Sequence, residues 1–212
     1  LLKELTTVEG IEWIRMLYLY PKHFSDELLE TIMTEPKVCK YIDMPLQHIN
    51  NTVLQRMNRK DTRENIVALL HKIRNRSEHI TLRTSLIVGF PGETEEEFNQ
   101  TYEFLKEIKM YKMHIFKYSP KRGTAATKFK NQIDSKIKDE RSKILLALSD
   151  KNETEYNETY INKTVTVLFE EAENGYFKGH TGNYLVVKVK TDKDLTDKLL
   201  KVKIDKWVLI LF

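Results

Sequence analysis

The stretch from Leu82 to Glu97 constrains the fold more than any other part of the chain. It begins with a β-rich run, 82–88, whose apolar residues suit a strand in a buried parallel sheet. Residues 89–92, Gly-Phe-Pro-Gly, then turn the chain, because glycine permits a positive φ and proline fixes φ. Thr94 and Glu97 occupy the N-cap and N3 positions of a capping box, which predicts a helix. Strand, turn and helix form half of a βαβ unit, and such units bind ligands at the carboxyl ends of their strands.

A glycine turn between a strand and a helix also suggests a phosphate site, but the residues argue against one. The chain lacks the Gly-Lys-Ser/Thr of a P-loop. Four carboxylates crowd the start of the helix, where a phosphate would need room: Glu93, Glu95, Glu96 and Glu97. We therefore interpret the turn as a tight structural turn in an α/β protein.

Composition is that of an ordinary globular protein with one large or two small domains. The 212 residues are 41% hydrophobic and 31% charged, with a formal net charge of +4. No apolar run is long enough to cross a membrane and no signal sequence is visible, so a cytoplasmic protein is expected. The single cysteine, Cys39, excludes an internal disulfide framework and a multi-cysteine metal site, and no metal ligand is predicted. Because the chain begins with Leu1, a fragment or a processed form is expected.

The hydrophobic pattern predicts alternating strands and helices up to residue 159. Strands are expected at 11–20, 38–44, 82–88 and 113–118. Helices are expected at 26–34 and 52–57, from 61, from 94 and over 134–159. This alternation implies a parallel sheet with right-handed crossovers. Four strands are too few for an eight-stranded barrel, so the pattern predicts an open or partial barrel.

From residue 160 the pattern changes to short strands, expected at 163–169, 176–181, 184–190, 199–204 and 207–211. Asn174-Gly175 is a strong signal for a two-residue hairpin turn. These strands predict a small antiparallel barrel of OB type that folds independently of the rest. We therefore expect two domains, 1–159 and 160–212.

Residues 117–138 hold seven cations and one acid, Asp134. Such a basic linker is either a solvated surface loop or a contact with nucleic acid. In the predicted barrel, aromatic rings beside lysines could stack bases, although aromatic residues in small barrels are more often part of the core. The candidate nucleic-acid-binding residues are Lys121, Arg122, Lys128, Lys130, Lys178, Tyr184 and Lys188.

Several motifs, taken in order, resemble radical-SAM methylthiotransferases of the MiaB, RimO and MtaB types. They are Pro45-Leu46-Gln47-His48, Met57-Asn58-Arg59, residues 87–94 and Tyr118-Ser119-Pro120 followed by Gly123-Thr124. Residues 179–184 are similar to the TRAM domain that these enzymes carry. The resemblance covers nearly the whole chain. It implies an α/β fold in which a partial parallel (β/α) radical-SAM barrel precedes a small antiparallel TRAM barrel.

The resemblance also implies an enzyme that installs a methylthio group, using S-adenosyl-L-methionine and two [4Fe-4S] clusters in the full-length protein. Clusters need cysteine thiolates, and the Cys-x3-Cys-x2-Cys loop of the family is absent from this chain. We therefore expect a carboxyl-terminal part of the enzyme, monomeric and inactive alone. No catalytic residue is assigned. The implied cofactor-binding residues are Gln47, His48, Arg83, Ser85, Ile87, Gly89 and Glu93.

The resemblance leaves two candidate macromolecular substrates. Residues 13–21 and 83–85 resemble the branch that modifies an aspartate of a small-subunit ribosomal protein, whereas 121–124 and 179–184 resemble the branch that modifies threonylcarbamoyl-adenosine in tRNA. Neutralised phosphates are a main source of affinity for nucleic acids, so the basic linker favours tRNA as the first hypothesis. The ribosomal protein is the alternative, and a non-catalytic RNA-binding module is the alternative from another class.

Overall fold

A computed structural model of the chain describes residues 1–205, so the strand predicted at 207–211 lies outside the described residues. The helices are α1 (Leu2–Thr6), α2 (Asp26–Thr34), α3 (Asn51–Arg56), α4 (Arg63–Arg76), α5 (Glu95–Ile108) and α6 (Ser135–Glu158). The strands are β1 (Tyr41–Asp43), β2 (Thr81–Val88), β3 (Lys112–Lys117), β4 (Thr164–Glu173), β5 (Tyr176–Thr181), β6 (Val186–Lys190) and β7 (Lys198–Lys203). Short 3-10 turns lie at Pro21–His23 and Ala125–Lys128.

The chain forms two compact units. The first unit comprises residues 1–15, 31–41 and the chain from 154 onwards, and the second unit comprises 16–30 and 42–153. The domain boundary expected at residue 159 stays a prediction. Within residues 1–205, no helix combines the length and the apolar character that crossing a membrane requires.

The parallel sheet has the strand order β1-β2-β3. Strands β2 and β3 pair in register from Arg83–Lys112 to Val88–Lys117. Along β2 the even-numbered residues from 82 to 88 are buried, whereas residues 83, 85 and 87 are half-buried. Because successive side chains of a strand point to opposite faces, one face of this sheet belongs to the core and the other is half-open. The α/β fold class is confirmed, with the difference that β2 is fully buried on one face only.

The strand predicted at 11–20 is wrong. Ile14 makes an isolated parallel bridge with Val38, and the rest of the segment is irregular. Tyr18 has a φ of 59°, a left-handed conformation in which a non-glycine residue cannot continue an extended ladder. The β-branched and aromatic residues of the segment favour a strand locally, and this backbone conformation overrides them.

Helix α5 begins as its capping box predicts. The Thr94 hydroxyl accepts a hydrogen bond from the Glu97 N–H at 3.2 Å, and the Glu97 carboxylate accepts one from the Thr94 N–H at 2.8 Å. Phe98, Leu105 and Ile108 form its buried face. The helix therefore starts at a fixed residue directly after the glycine turn.

The first unit carries the antiparallel sheet, in the order β6-β5-β4-β7. Its core contains Val167, Phe169, Leu185, Val187 and Ile204. Strands β4 and β5 are joined through Asn174 and Gly175, whose φ values of 51° and 79° suit the predicted two-residue hairpin. The small antiparallel β structure predicted after residue 160 is confirmed for its four described strands.

Candidate functional site

A cavity of about 370 Å³ lies at the carboxyl ends of β2 and β3 in the second unit. Its walls include Gln47, Ile87 near the end of β2, Phe90 of the glycine turn, and Tyr118 directly after β3. Ligands of α/β proteins bind at this edge of a parallel sheet. The volume falls within the range of about 300–1,000 Å³ that is usual for small-molecule pockets.

Gln47 reaches the cavity through a strained backbone. Its φ is 67°, which is uncommon for a residue with a side chain and is found more often at functional sites. Two ladder bonds hold it there: its N–H donates to the Ser85 carbonyl at 2.9 Å, and its carbonyl accepts from the Ile87 N–H at 2.9 Å. The bend after β1 therefore fixes Gln47 against the end of β2.

Two polar atoms of the cavity-lining residues are buried without a hydrogen-bond partner among the described residues: the Tyr118 hydroxyl and the Arg59 Nε. Leaving a buried donor unpaired costs about 1–3 kcal/mol, and a ligand can supply the partner only when a side-chain movement opens these enclosed atoms to the cavity. Arg59 is otherwise fixed, because its Nη2 donates to the Pro45 carbonyl at 3.2 Å and lies 3.3 Å from the Asp61 carboxylate. The cavity thus combines apolar walls with a few oriented polar groups, as small-molecule pockets do.

The glycine turn is held by a buried charged network. The Glu93 carboxylate accepts the Gly89 N–H, lies 3.1 Å from His48 Nε2, and is 2.9 Å from Arg141 Nη1. His48 Nδ1 accepts the Asn50 N–H at 3.0 Å, so the proton of a neutral ring is on Nε2 and is donated to Glu93. All three side chains of the network are at least nine-tenths buried. Glu93 and His48 therefore fix the turn, and neither lines the cavity.

Both glycines of the turn allow close approach of other side chains. A Cβ at Gly89 would lie 2.3 Å from Lys138 Cγ, and one at Gly92 would lie 2.6 Å from Arg56 Nη1. The two residues have φ values of 70° and 79°, where a side chain is strained. This geometry supports the interpretation of the motif as a tight structural turn.

A second cluster of polar side chains lies on the half-open face of the parallel sheet. Arg83 Nη1 lies 3.0 Å from the Asp43 carboxylate, and Arg83 Nη2 lies 2.7 Å from His114 Nε2. A guanidinium can only donate, so His114 Nε2 accepts and the ring proton is on Nδ1. Burial, helped by the charges of Arg83 and Lys112, lowers the pKa of His114. Ser85, which pairs with His114 across the strands, lies on the same face.

The seven predicted cofactor-binding residues therefore occupy three places. Gln47 and Ile87 line the cavity; His48, Gly89 and Glu93 form the turn network; Arg83 and Ser85 lie on the half-open face. Sequence reasoning assigned no role to Arg59, Phe90 or Tyr118, although all three stand inside the motifs that carried the resemblance. No sequence pattern indicated a role for Arg141, because it lies 48 residues from Glu93 in a highly charged helix.

The predicted nucleic-acid-binding residues of the basic linker are all exposed: Lys121, Arg122, Lys128 and Lys130. Lys121 also lines the cavity. The linker is therefore a cationic surface that begins at the mouth of the candidate site, and its binding partner stays a prediction.

The other three predicted nucleic-acid-binding residues lie in the first unit and have close neighbours there. Lys178 lies 3.5 Å from the Glu171 carboxylate, and Lys188 stands opposite Lys178 in the β5–β6 pair. The Tyr184 ring packs 4.6 Å from the His180 ring, and the Arg15 guanidinium carbon lies 4.5 Å from its centroid. These contacts hold the half-buried Tyr184 ring in place, and its role in binding nucleic acid stays a prediction.

Arg15 also donates to the Thr181 carbonyl at 2.9 Å.

The described residues include no cluster of three His, Cys, Asp or Glu side chains that could hold a metal ion. Cys39, the only cysteine of the sequence, is buried, and this burial raises the pKa of its thiol. An iron–sulfur cluster needs several thiolates. The residues of this chain therefore do not fit such a cluster.

Comparisons with known proteins show what this chain is similar to. The model of the Radical SAM superfamily matches residues 1–105. Ribosomal protein uS12 methylthiotransferase RimO of Clostridium novyi is 46% identical over 187 residues, which are 88% of this chain and 42% of that protein. The protein of the same name from Clostridium perfringens is 41% identical over 210 residues, 97% of this chain and 47% of that protein. The chain thus spans less than half the length of these relatives.

Among solved structures, the fold is similar to that of coproporphyrinogen III oxidase (HemN) from Escherichia coli, a radical SAM enzyme. The TM-score is 0.55 at 14% identity, over 84% of this chain and 51% of that one. At this identity the likeness concerns the fold alone.

Proposed function

Because the chain belongs to the radical SAM methylthiotransferase family, we propose that it is part of an enzyme that transfers a methylthio group to an aspartate of ribosomal protein uS12. The observation that carries the proposal is the 41–46% identity to relatives of that name over most of the chain. These relatives favour the ribosomal-protein alternative over the tRNA substrate that the basic linker suggested. The cavity at the strand ends supports an enzyme over a non-catalytic binding module.

The cavity is proposed to take the adenosine part of S-adenosylmethionine. This cofactor supplies a methyl group and a carbon radical that abstracts hydrogen, with a [4Fe-4S] cluster as the electron donor. Ile87 and Phe90 provide apolar contact for a base. The enclosed Tyr118 hydroxyl and Arg59 Nε can pair with polar atoms of the ribose or base once a side-chain movement opens them to the cavity. The cluster needs thiolates that these residues do not supply, so no role is assigned to the chain in holding it.

The substrate is tested by deleting the gene and measuring both candidate products by mass spectrometry. We expect the methylthio group to disappear from an aspartate of uS12, while the modified adenosines of tRNA persist. Returning the wild-type gene should restore the modification. Returning a Tyr118→Phe variant, which lacks only the hydroxyl, should restore it more slowly. Loss of the methylthio group from tRNA with uS12 unchanged would overturn the substrate assignment.

A further inference from the structure

We propose that two side chains of α6, Lys138 and Arg141, are positioning residues for the cavity: they hold the glycine turn and Tyr118 in the shape that forms its wall. This inference rests on the proposed cofactor role of the cavity. Sequence reasoning counted Lys138 among the cations of the basic linker and assigned no role to Arg141. Neither side chain lines the cavity, so any effect on a ligand would act through the wall residues.

Lys138 connects the two sides of the wall. Its ammonium donates to the Tyr118 carbonyl at 3.1 Å and lies 5.4 Å from the centroid of the Tyr118 ring. Its methylene stem lies on Gly89 so closely that a Cβ there would be 2.3 Å from Cγ. The Tyr118 ring in turn meets Phe90 edge-on at 5.1 Å between centroids. One side chain therefore contacts both the turn after β2 and the residue after β3.

Arg141 fixes the end of the turn. Its Nη1 donates to the Glu93 carboxylate at 2.9 Å and to the Glu93 carbonyl at 3.1 Å. Its guanidinium carbon lies 5.3 Å from the Phe98 ring centroid in α5. Because the Glu93 carboxylate also accepts the Gly89 N–H, Arg141 orients a group that reaches back across the whole turn. Hydrogen bonds between charged groups are stronger than those between neutral groups, and this site excludes water.

Removal of Lys138 and removal of Arg141 should affect the stability of the fold to different extents. The Arg141 side chain is 9% exposed, so its removal would affect folding as well as the turn. Lys138 is half-buried and reaches a carbonyl rather than a carboxylate, so its loss leaves no buried charge uncompensated and should lower stability less than loss of Arg141. A ligand that needs a preformed wall would nevertheless lose affinity when Tyr118 and Phe90 are released. Lys138 is therefore the sharper probe.

The test measures calorimetric binding of S-adenosylhomocysteine to the 212-residue chain. We expect Lys138→Met, which keeps the stem and removes the ammonium, to raise Kd about tenfold, which is the cost of ordering one released wall side chain on binding. Lys138→Arg should restore binding to within about threefold of wild type. Lys136→Met is the matched control, since Lys136 is an exposed cation on the same helix and its loss should leave Kd unchanged. The thermal midpoint should fall less for Lys138→Met than for Arg141→Met.

Ile87→Arg, which fills the cavity, separates the positioning role of Lys138 from the cofactor role of the cavity. If Ile87→Arg abolishes binding while Lys138→Met binds like wild type, the positioning role is refuted and the cavity keeps its proposed cofactor. If the wild-type chain binds no S-adenosylhomocysteine, or if Ile87→Arg binds it normally, the cavity does not take the cofactor and the positioning role is refuted with it.

Discussion

Replacing Glu93 by glutamine tests the network that holds the glycine turn. The amide oxygen can still accept the Gly89 N–H, but the charge opposite Arg141 is lost. The Glu93 side chain is 0% exposed and that of Arg141 is 9% exposed, so the remaining guanidinium stays buried without compensation. Breaking a buried ion pair on one side costs about 3–5 kcal/mol. We expect Glu93→Gln to lower the free energy of unfolding by this amount, measured by urea denaturation followed by circular dichroism.

A double-mutant cycle with Arg141→Met identifies the source of that loss. If the charge pair is responsible, the double variant should be more stable than the sum of the single losses predicts, by about 1–3 kcal/mol. The exposed Lys117–Asp139 pair is the control, and Asp139→Asn should leave the unfolding midpoint unchanged. Additive losses in the cycle, or a loss below about 1 kcal/mol for Glu93→Gln, would show that the Glu93–Arg141 charge pair does not stabilise the turn.

Two further predictions concern the turn and the half-open sheet face. Both Gly89 and Gly123 have a positive φ, but a Cβ meets Lys138 at Gly89 and nothing within 4 Å at Gly123; we expect Gly89→Ala to lower the urea midpoint more than Gly123→Ala, and equal losses would contradict the close approach. The lowered pKa of His114 means that the unfolded chain binds this proton at a higher pH than the folded chain. Stability should therefore fall as pH decreases from about 6.5 towards the folded pKa, and His114→Gln should flatten this slope; NMR titration showing a raised pKa for His114 would contradict it.

Local signals explain what the sequence predicted well. The capping box of α5 consists of residues three apart, so its hydrogen bonds can be read without knowledge of the fold. The start of α2 at residue 26 was predictable from a similar local contact, because the Ser25 hydroxyl accepts the Leu28 N–H at 3.1 Å. The segment 11–20 failed because its composition favours a strand, whereas the left-handed Tyr18 is not encoded in that composition. Local propensity decided the first two cases and was overridden in the third.

The candidate site was predictable only in part, because its residues come together over long separations. Gln47 and Ile87 stand in motifs and were assigned to the cofactor, and both line the cavity. Arg141 meets Glu93 across 48 residues, and no pattern within α6 indicates that pairing. Arg15, 169 residues away from Tyr184 in the sequence, packs on the Tyr184 ring, and no local pattern indicates that contact. A contact between residues so far apart in the sequence is created by the fold.

The acidic residues that excluded a phosphate explain how the motif works. Glu93 is neutralised by Arg141, and Glu97 by Arg56, which also donates to the Pro91 carbonyl at 3.1 Å. The charges of Glu93 and Glu97 are thus satisfied by side chains of α6 and α3, and Gly92 gives Arg56 room. The wall residue Phe90 stands between these two fixed points. A substitution of Glu93 should therefore impair ligand binding through the shape of the turn, even though its carboxylate does not line the cavity.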